Sequence, residues 1–371
     1  MLSFEFIDLI LFLGISQGIF LAITIQVIQN KNKPANKILS IILLISVLML
    51  IGRMIFLKYL TISLFLYTIL IDSVIFIFGP LCNIYIRRLT LYEVKNYELP
   101  WFHYIPLVLH LFFFVYIASF SSEMFAKKVT DGDFNIHFII IEGAGIVSNL
   151  VYWFLNVKLL QKYVRAEKQN VSFSQNLVTF LKYFYVSVGI FLGLWVISFI
   201  SAKFFDHSLY PIGYDWLWVG ISVFIFVVGY YSLKEPELFR IPLSNEKQKI
   251  KRLPESEIFS IGNQLKHLME KEKIFLKSDL TLRELSEKLD TSTHNISWFL
   301  NNIVKSSFYD YVNHYRIKEF LQKVAQGAHL QHTILAISME VGFNSKSTFN
   351  KAFKLEMKET PSNYIKREKV A

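Results

Sequence analysis

Seven apolar segments in the first 233 residues constrain the fold more than any other feature of the sequence. They cover residues 4–28, 38–57, 63–86, 102–120, 135–158, 179–202 and 214–233. Because a membrane-spanning helix needs about 20 mostly apolar residues, these segments predict a bundle of seven transmembrane helices. The first segment is too long for a signal peptide and has no basic residue before it.

The distribution of charge divides the chain into an apolar part and a polar part. Only 28 of the first 233 residues are charged, compared with 40 of the last 138. The predicted domains are therefore a transmembrane sensor domain at 1–233, a juxtamembrane linker at 234–255 and a soluble domain at 256–371. Cys82 is the only cysteine, which excludes a secreted domain held by disulfides.

Lysine and arginine in the predicted loops indicate the orientation. Ten of them follow segments one, three and five, and four follow segments two, four and six. Because basic loops stay in the cytoplasm, we expect the N-terminus outside and the C-terminal domain in the cytoplasm. The expected location is the inner membrane of a bacterium, with the lipid bilayer as a partner.

Ionisable side chains within the apolar segments are costly to bury in lipid and therefore indicate a structural or binding role. Five of them fall in the predicted outer halves of four segments: Asp8, Arg53, Asp72, His137 and Glu142. One interpretation is a structural ion pair such as Arg53–Asp72. The other is a pocket, open to the outside, for an unknown small molecule or membrane signal. Gln17, His110 and Asn149 lie deeper and predict hydrogen bonds between helices.

The polar part begins with a predicted amphipathic helix, and a pair of short helices follows it. Thr281 and Glu284 have the spacing of a capping box. Asp290 falls at a tight turn, and Ser292 can cap the next helix. The apolar stripe of that helix consists of Ile296, Phe299, Leu300 and Ile303. Its opposite face carries His294, Ser297, Trp298 and Asn301.

A second pair of helices repeats this arrangement after a long helix predicted at 308–326. Thr333 can cap its first helix, Gly342 supplies the turn, and Asn344 or Ser345 caps its second helix. The outer face of that second helix carries Lys346, Ser347, Asn350, Lys351 and Lys354. Two short helices with a polar, basic outer face on the second are typical of proteins that read the DNA major groove. Thr360 and Pro361 then predict the start of a last helix.

The residues at 333–364 resemble the signature of the AraC/XylS-type DNA-binding domain. The residues that carry the resemblance are Ile337, Gly342, Phe343, Ser345, Ser347, Phe349, Phe353, Lys354, Thr360, Pro361, Ser362 and Tyr364. Residues 282–317 are similar to the less constrained half of that domain. The resemblance covers about 256–371 and implies a seven-helix domain with two helix-turn-helix motifs on a rigid linking helix. Both recognition helices would then enter successive major grooves, about 34 Å apart.

The resemblance also implies roles for individual residues. Bases would be read by His294, Ser297 and Trp298 in one unit and by Lys346, Ser347, Asn350 and Lys351 in the other. Lys354, Ser292 and Ser362 would contact phosphates, and Arg316 would orient the linking helix. The sequence departs from the family at Lys305 and Lys358, where glycine is frequent, and at Trp298, where arginine is frequent. Trp298 either contacts DNA or packs structurally.

The sequence thus predicts an all-α chain: a seven-helix transmembrane bundle followed by a cytoplasmic seven-helix domain with two helix-turn-helix motifs. Its predicted function is a membrane-embedded one-component transcription regulator, with double-stranded DNA and a second copy of the chain as partners. The alternative is a transporter with a regulatory tail, for which Gly79-Pro80 would supply a broken helix; the simpler interpretation of this pair is a kink within one helix. We expect no enzymatic activity, metal or cofactor, because the sequence contains no catalytic or metal-binding motif.

Overall fold

The computed structural model describes residues 6–27, 33–58, 62–90, 97–173, 176–205, 214–232 and 253–368. The chain divides into two compact units. The first unit comprises Met1–Gln161 and Asn176–Leu243, and the second comprises Lys162–Gln175 and Ser244–Ala371. The described residues form helices and no strand, which confirms the predicted all-α class. Most of the predicted linker at 234–255, including Pro236, lies outside the described residues.

Nine helices are described for the part of the chain that precedes the linker. They are α1 (Phe6–Val27), α2 (Lys33–Lys58), α3 (Ile62–Asp72), α4 (Ile75–Thr90), α5 (Ile105–Ala118), α6 (Ser122–Thr130), α7 (Asn135–Asn170), α8 (Asn176–Phe204) and α9 (Tyr214–Ser232). Within the described ranges, six helical stretches are long and apolar enough to cross a membrane, and Tyr214–Gly229 is apolar but shorter. The helix α6 was not predicted; it buries Phe125 in an aromatic cluster with Phe134.

The third apolar segment is interrupted between α3 and α4. The amide of Ser73 donates to Leu70 O, and the ring of His110 donates to Ile69 O at 3.0 Å. Gly79-Pro80, which the transporter alternative would require as a broken helix, lies inside α4, and the helix continues through Pro80. The Asn149 side chain donates to Ile75 O at 2.8 Å. The hydrogen bonds predicted between helices for His110 and Asn149 are therefore present.

The helices of the second unit that follow the linker agree with the sequence prediction. They are α10 (Glu255–Glu270), α11 (Leu282–Lys288), α12 (Thr293–Phe299), α13 (Phe308–Ala325), α14 (Ala328–Gln331), α15 (Ile334–Glu340), α16 (Lys346–Met357) and α17 (Pro361–Glu368). Seven of these correspond to the seven helices expected, and α14 is an additional single turn. The first described turn of α10 begins directly after Pro254.

Two apolar cores share the long helix α13. Its first half contributes Phe308 and Val312 to a core built with α10, α11 and α12. Its second half contributes Phe320 and Val324 to a core built with α15, α16 and α17. Because burial of apolar surface is the main stabilising contribution, each half of α13 is held by its own helix-turn-helix unit. This arrangement makes α13 the structural link between the two helix-turn-helix units.

The predicted caps set the ends of these helices. Thr281 accepts from the amide of Glu284, and the Glu284 carboxylate accepts from the amide of Thr281, so the capping box is complete. Ser292, Thr333 and Ser345 accept from the amide three residues ahead, as the sequence predicts. Each helix therefore starts at a residue that satisfies one of its free N–H groups.

Left-handed backbone conformations mark the turns after the short helices. Asp290 has φ 46° and Gly342 has φ 98°, as predicted for the two tight turns. Lys305 and Lys358 both have φ 61°, so lysine adopts the conformation for which the family often uses glycine. In the first helix-turn-helix unit, the second helix continues beyond α12 as a π-helical turn at Leu300–Val304, which ends at Lys305.

Candidate nucleic-acid interface

The helix α16 separates an apolar face from a polar one. Thr348, Phe349, Ala352 and Phe353 are buried, and Phe349 packs between the rings of Phe320 and Phe343. All five candidate residues of this helix are exposed: Lys346, Ser347, Asn350, Lys351 and Lys354. The buried face fixes the rotation of α16, so the polar face is presented to solvent as one surface. We call this surface the α16 polar face.

Three lysines give the α16 polar face its charge. Among the described residues, no ion pair engages Lys346, Lys351 or Lys354, whereas Lys273 and Lys323 pair with Glu319 and Glu340. An unpaired, exposed lysine can approach a phosphate without breaking an existing contact. The α16 polar face is therefore suited to the negatively charged backbone of DNA.

The first recognition helix, α12 with its π-helical turn, presents a more restricted surface. His294 is exposed, whereas Ser297 and Trp298 are half-buried. Asn301 is exposed, but its amide nitrogen donates to Ser297 O at 2.8 Å and to Gln169 Oε1 at 3.0 Å. Its amide oxygen accepts from Gln169 Nε2 at 3.2 Å. The four predicted DNA-reading residues of this helix therefore differ in how freely they can meet a base.

The candidate phosphate-binding serines lie at helix starts. Ser292 and Ser345 are the N-caps of α12 and α16, where each side-chain oxygen is already engaged by a backbone amide. Ser362 is exposed in the first turn of α17. Helix N-termini attract phosphate because their free N–H groups point outward. The caps thus place these serines where a DNA backbone could be bound.

Arg316 is completely buried beneath the two helix-turn-helix units. Its Nε donates to Phe275 O, Nη1 donates to Ser172 O and Asn313 Oδ1, and Nη2 donates to Ser172 Oγ and Lys277 O. The five N–H groups of the guanidinium therefore have five acceptors, at 2.7–3.2 Å. Such a side chain organises the loops around α13 and has no free donor for DNA.

The charge of Arg316 is maintained in this site. Burial lowers the pKa of Arg316 to about 10, which leaves the guanidinium protonated at neutral pH. The cation also lies 5.7 Å from the centre of the Phe343 ring. Gly342, the residue before Phe343, passes so close that a Cβ there would lie 3.0 Å from Arg316 Nε. The backbone turn at Gly342, in the second helix-turn-helix unit, is therefore packed directly against the Arg316 side chain.

Two of the polar residues predicted in the outer halves of the apolar segments, Arg53 and Glu142, contact side chains from other helices. Arg53 forms an ion pair with Asp215 at 2.6 Å and lies 5.9 Å from the Trp218 ring. Glu142 accepts from Tyr214 Oη at 2.7 Å and from Trp195 Nε1 at 3.0 Å. Asp215, Tyr214 and Trp195 were not among the predicted residues.

The other three of these five predicted residues occupy different environments. Asp8 is buried in α1, Asp72 at the end of α3 is exposed, and the ring of His137 stacks on Phe113. Two small cavities are described in this unit, and none of the five predicted residues lines either of them. The described structure brings Arg53 and Glu142 each to residues at the start of α9, Asp215 and Tyr214.

The residues that the sequence reasoning missed at the DNA-binding domain are Gln169 and Ser172. Gln169 lies in the last turn of α7 and Ser172 lies two residues after its end, in a predicted loop between two apolar segments. Their partners Asn301 and Arg316 are 132 and 144 residues further along the chain. No local pattern indicates such contacts, because periodicity and capping involve only residues a few positions apart.

Two helix-turn-helix units joined by one helix, with a basic polar face on the second recognition helix, define a DNA-binding domain. Residues 285–367 match the family model described as a helix-turn-helix domain, which is of the AraC type. The predicted resemblance is thereby confirmed for this part of the chain, and it supports a DNA-binding regulator. No curated protein and no solved structure matches the chain at a significant level.

Proposed function

We propose that the protein is a membrane-embedded, one-component transcription regulator that binds specific double-stranded DNA through both helix-turn-helix units. The observation that carries the proposal is the exposed α16 polar face, together with six apolar helical stretches of membrane-spanning length among the described residues. Lys346, Ser347, Asn350 and Lys351 read base edges in the major groove, and Lys354 contacts phosphate. In the first helix-turn-helix unit, the DNA-binding residues are His294, Ser297, Trp298 and Asn301.

The proposed topology places the N-terminus outside and the C-terminal domain in the cytoplasm of a bacterium. The basic loops of the sequence support this orientation. A tag at the N-terminus should react with an impermeant label in intact spheroplasts, and a tag at the C-terminus only after lysis. Labelling of the C-terminal tag in intact spheroplasts would contradict the topology.

The polar residues in the predicted outer halves of the apolar segments are the proposed site of the signal. Asp8, Arg53, Asp72, His137 and Glu142 are its candidate residues, and a second copy of the chain is the proposed partner on DNA. Glu142 is held by two donors, which gives it a defined position within this layer. Glu142→Gln should abolish the transcriptional response in cells and leave the DNA affinity of the purified protein unchanged.

The DNA-binding half of the proposal is tested with the intact protein in nanodiscs. Fragments of genomic DNA are selected by repeated binding, and the enriched fragments are sequenced. We expect one sequence motif to be enriched. Enrichment of no motif would contradict specific DNA binding.

Single lysines then separate base reading from phosphate contact. Lys351→Ala should weaken binding to the enriched sequence by about tenfold, equal to 1.4 kcal/mol, and alter the preferred sequence. Lys354→Ala should weaken binding to all sequences alike. Lys266→Ala is the matched control, because Lys266 is also exposed but lies on α10, outside both helix-turn-helix units. A loss of binding in the control equal to that of Lys351→Ala would indicate only a general effect of charge.

A further inference from the structure

The end of α7 and the two residues after it are packed into the same compact unit as the helix-turn-helix motifs. We call residues 168–172 the docking segment. Val171 and Ser172 are completely buried, and Val171 forms an antiparallel bridge with Thr281. The Ser172 amide donates to Leu280 O at 3.2 Å, and its hydroxyl donates to the same oxygen at 2.8 Å. The docking segment is thus bonded to the chain that opens the first helix-turn-helix unit.

Arg316 fastens the docking segment from the other side. Two of its five donated hydrogen bonds end on Ser172, one on the backbone oxygen and one on the hydroxyl. The remaining three acceptors belong to Phe275, Lys277 and Asn313 of the DNA-binding domain itself. The guanidinium therefore completes its coordination with a residue from outside that domain's own sequence. Arg316 thus forms a specific binding site for Ser172.

The docking segment also occupies a residue proposed to read DNA. Reading an adenine requires both the amide nitrogen and the amide oxygen of an asparagine. Both atoms of Asn301 are bonded to the side chain of Gln169, and the amide nitrogen also bonds to Ser297. Asn301 therefore cannot make a bidentate contact with a base while Gln169 is in place. Lys168 lies nearby, 5.9 Å from the Tyr309 ring.

We propose that the docking segment is an autoinhibitory latch on the first helix-turn-helix unit. In the docked state, Gln169 blocks Asn301, and Ser172 on Arg316 holds the latch closed. A movement of α7, which is continuous from Asn135 to Asn170, would withdraw Gln169 and Ser172 and free the first recognition helix for DNA. The docking segment does not block the second helix-turn-helix unit, so the docked protein retains weak DNA binding through the α16 polar face. This inference rests on the proposed function.

The test compares DNA affinities of intact proteins in nanodiscs, on the sequence enriched by the wild type. Gln169→Ala removes the blocking side chain from a half-buried position in the last turn of α7 and leaves the buried Val171 and Ser172 unchanged. We expect it to tighten binding about five- to tenfold, the usual size of coupling between sites. Gln322→Ala, an exposed glutamine on α13, is the matched control and should leave the affinity unchanged.

A reversible lock tests the opposite direction. The antiparallel bridge pairs Val171 with Thr281. Residues paired in this way have Cα atoms about 4.5–5.5 Å apart, which is within the range of a disulfide. Oxidised Val171→Cys/Thr281→Cys should bind the enriched sequence about tenfold more weakly than the same protein after reduction. If both Gln169→Ala and the lock leave the affinity unchanged, the latch is wrong and the proposed function stands. If the wild type enriches no sequence, the proposed function fails and the latch fails with it.

Discussion

Replacing Gly342 by alanine is expected to destabilise the C-terminal unit far more than the same change at Gly327. Both glycines have a left-handed backbone, with φ 98° and 86°. A new Cβ at Gly327 would meet nothing closer than Leu330 Cδ1 at 3.7 Å. At Gly342 it would lie 2.5 Å from Phe275 O and 2.8 Å from Leu276 O. The two substitutions therefore share the conformational cost, and only one of them adds a steric clash.

The expected magnitudes follow from these contacts. A left-handed alanine costs about 1–2 kcal/mol, and this is the whole expected loss at Gly327. At Gly342 the backbone at Phe275 must move, and Phe275 O is an acceptor for Arg316 at 2.8 Å. Loss of a hydrogen bond to a charged group adds about 1.5–3 kcal/mol. The free energy of unfolding should therefore fall by about 2.5–5 kcal/mol for Gly342→Ala.

The assay is pulse proteolysis in urea on the full-length protein in nanodiscs, with a C-terminal tag reporting the intact C-terminal unit. Wild type, Gly327→Ala and Gly342→Ala are unfolded in parallel, and the midpoints give the differences in unfolding free energy. Equal losses at the two glycines would refute the reasoning, because the clash with Phe275 and Leu276 would then contribute nothing.

Three further perturbations test other contacts. Phe349→Ala, in the second core, should lower the free energy of unfolding by about 3–5 kcal/mol in the same proteolysis assay. Burial acts to raise the pKa of Glu284, but hydrogen bonds from Lys277 and the capped helix start leave it below its usual 4.5. The stabilising contribution of the ionised Glu284 carboxylate is therefore complete above pH 4.5 and is lost as the pH falls through the lowered pKa. Glu284→Gln should remove this acid sensitivity when the free energy of unfolding is measured as a function of pH. A double-mutant cycle on Arg53 and Asp215 should give a favourable coupling of at least about 0.5 kcal/mol in thermal unfolding of the membrane protein.

Local sequence patterns were sufficient to predict the elements of the C-terminal domain. A cap and the residue three positions ahead, or an apolar stripe repeating every three to four residues, involve neighbours on one helix. The capping box at Thr281 and the left-handed turns at Asp290 and Gly342 are therefore found where the sequence indicates. The exposure of the α16 polar face follows from the buried stripe through Phe349 and Phe353 in the same way.

Contacts between distant segments could not be predicted in this way. Arg53 was considered as a partner of Asp72, but its observed ion pair is with Asp215, 162 residues away. The discontinuity in the third apolar segment falls at Ser73–Val74, because His110 on another helix takes up the carbonyl of Ile69. Such choices depend on which helices become neighbours, and helical periodicity contains no information about that.

The sequence by itself determined an all-α chain, seven apolar segments and a helix-turn-helix domain, because each of these is specified by residues close together along the chain. Only the tertiary structure showed that residues 168–172 belong with that domain. The guanidinium of Arg316 needs five acceptors once it is buried, and two of them are supplied by Ser172. A buried charge takes its partners from whatever the fold brings near, so its contacts are a property of the folded chain.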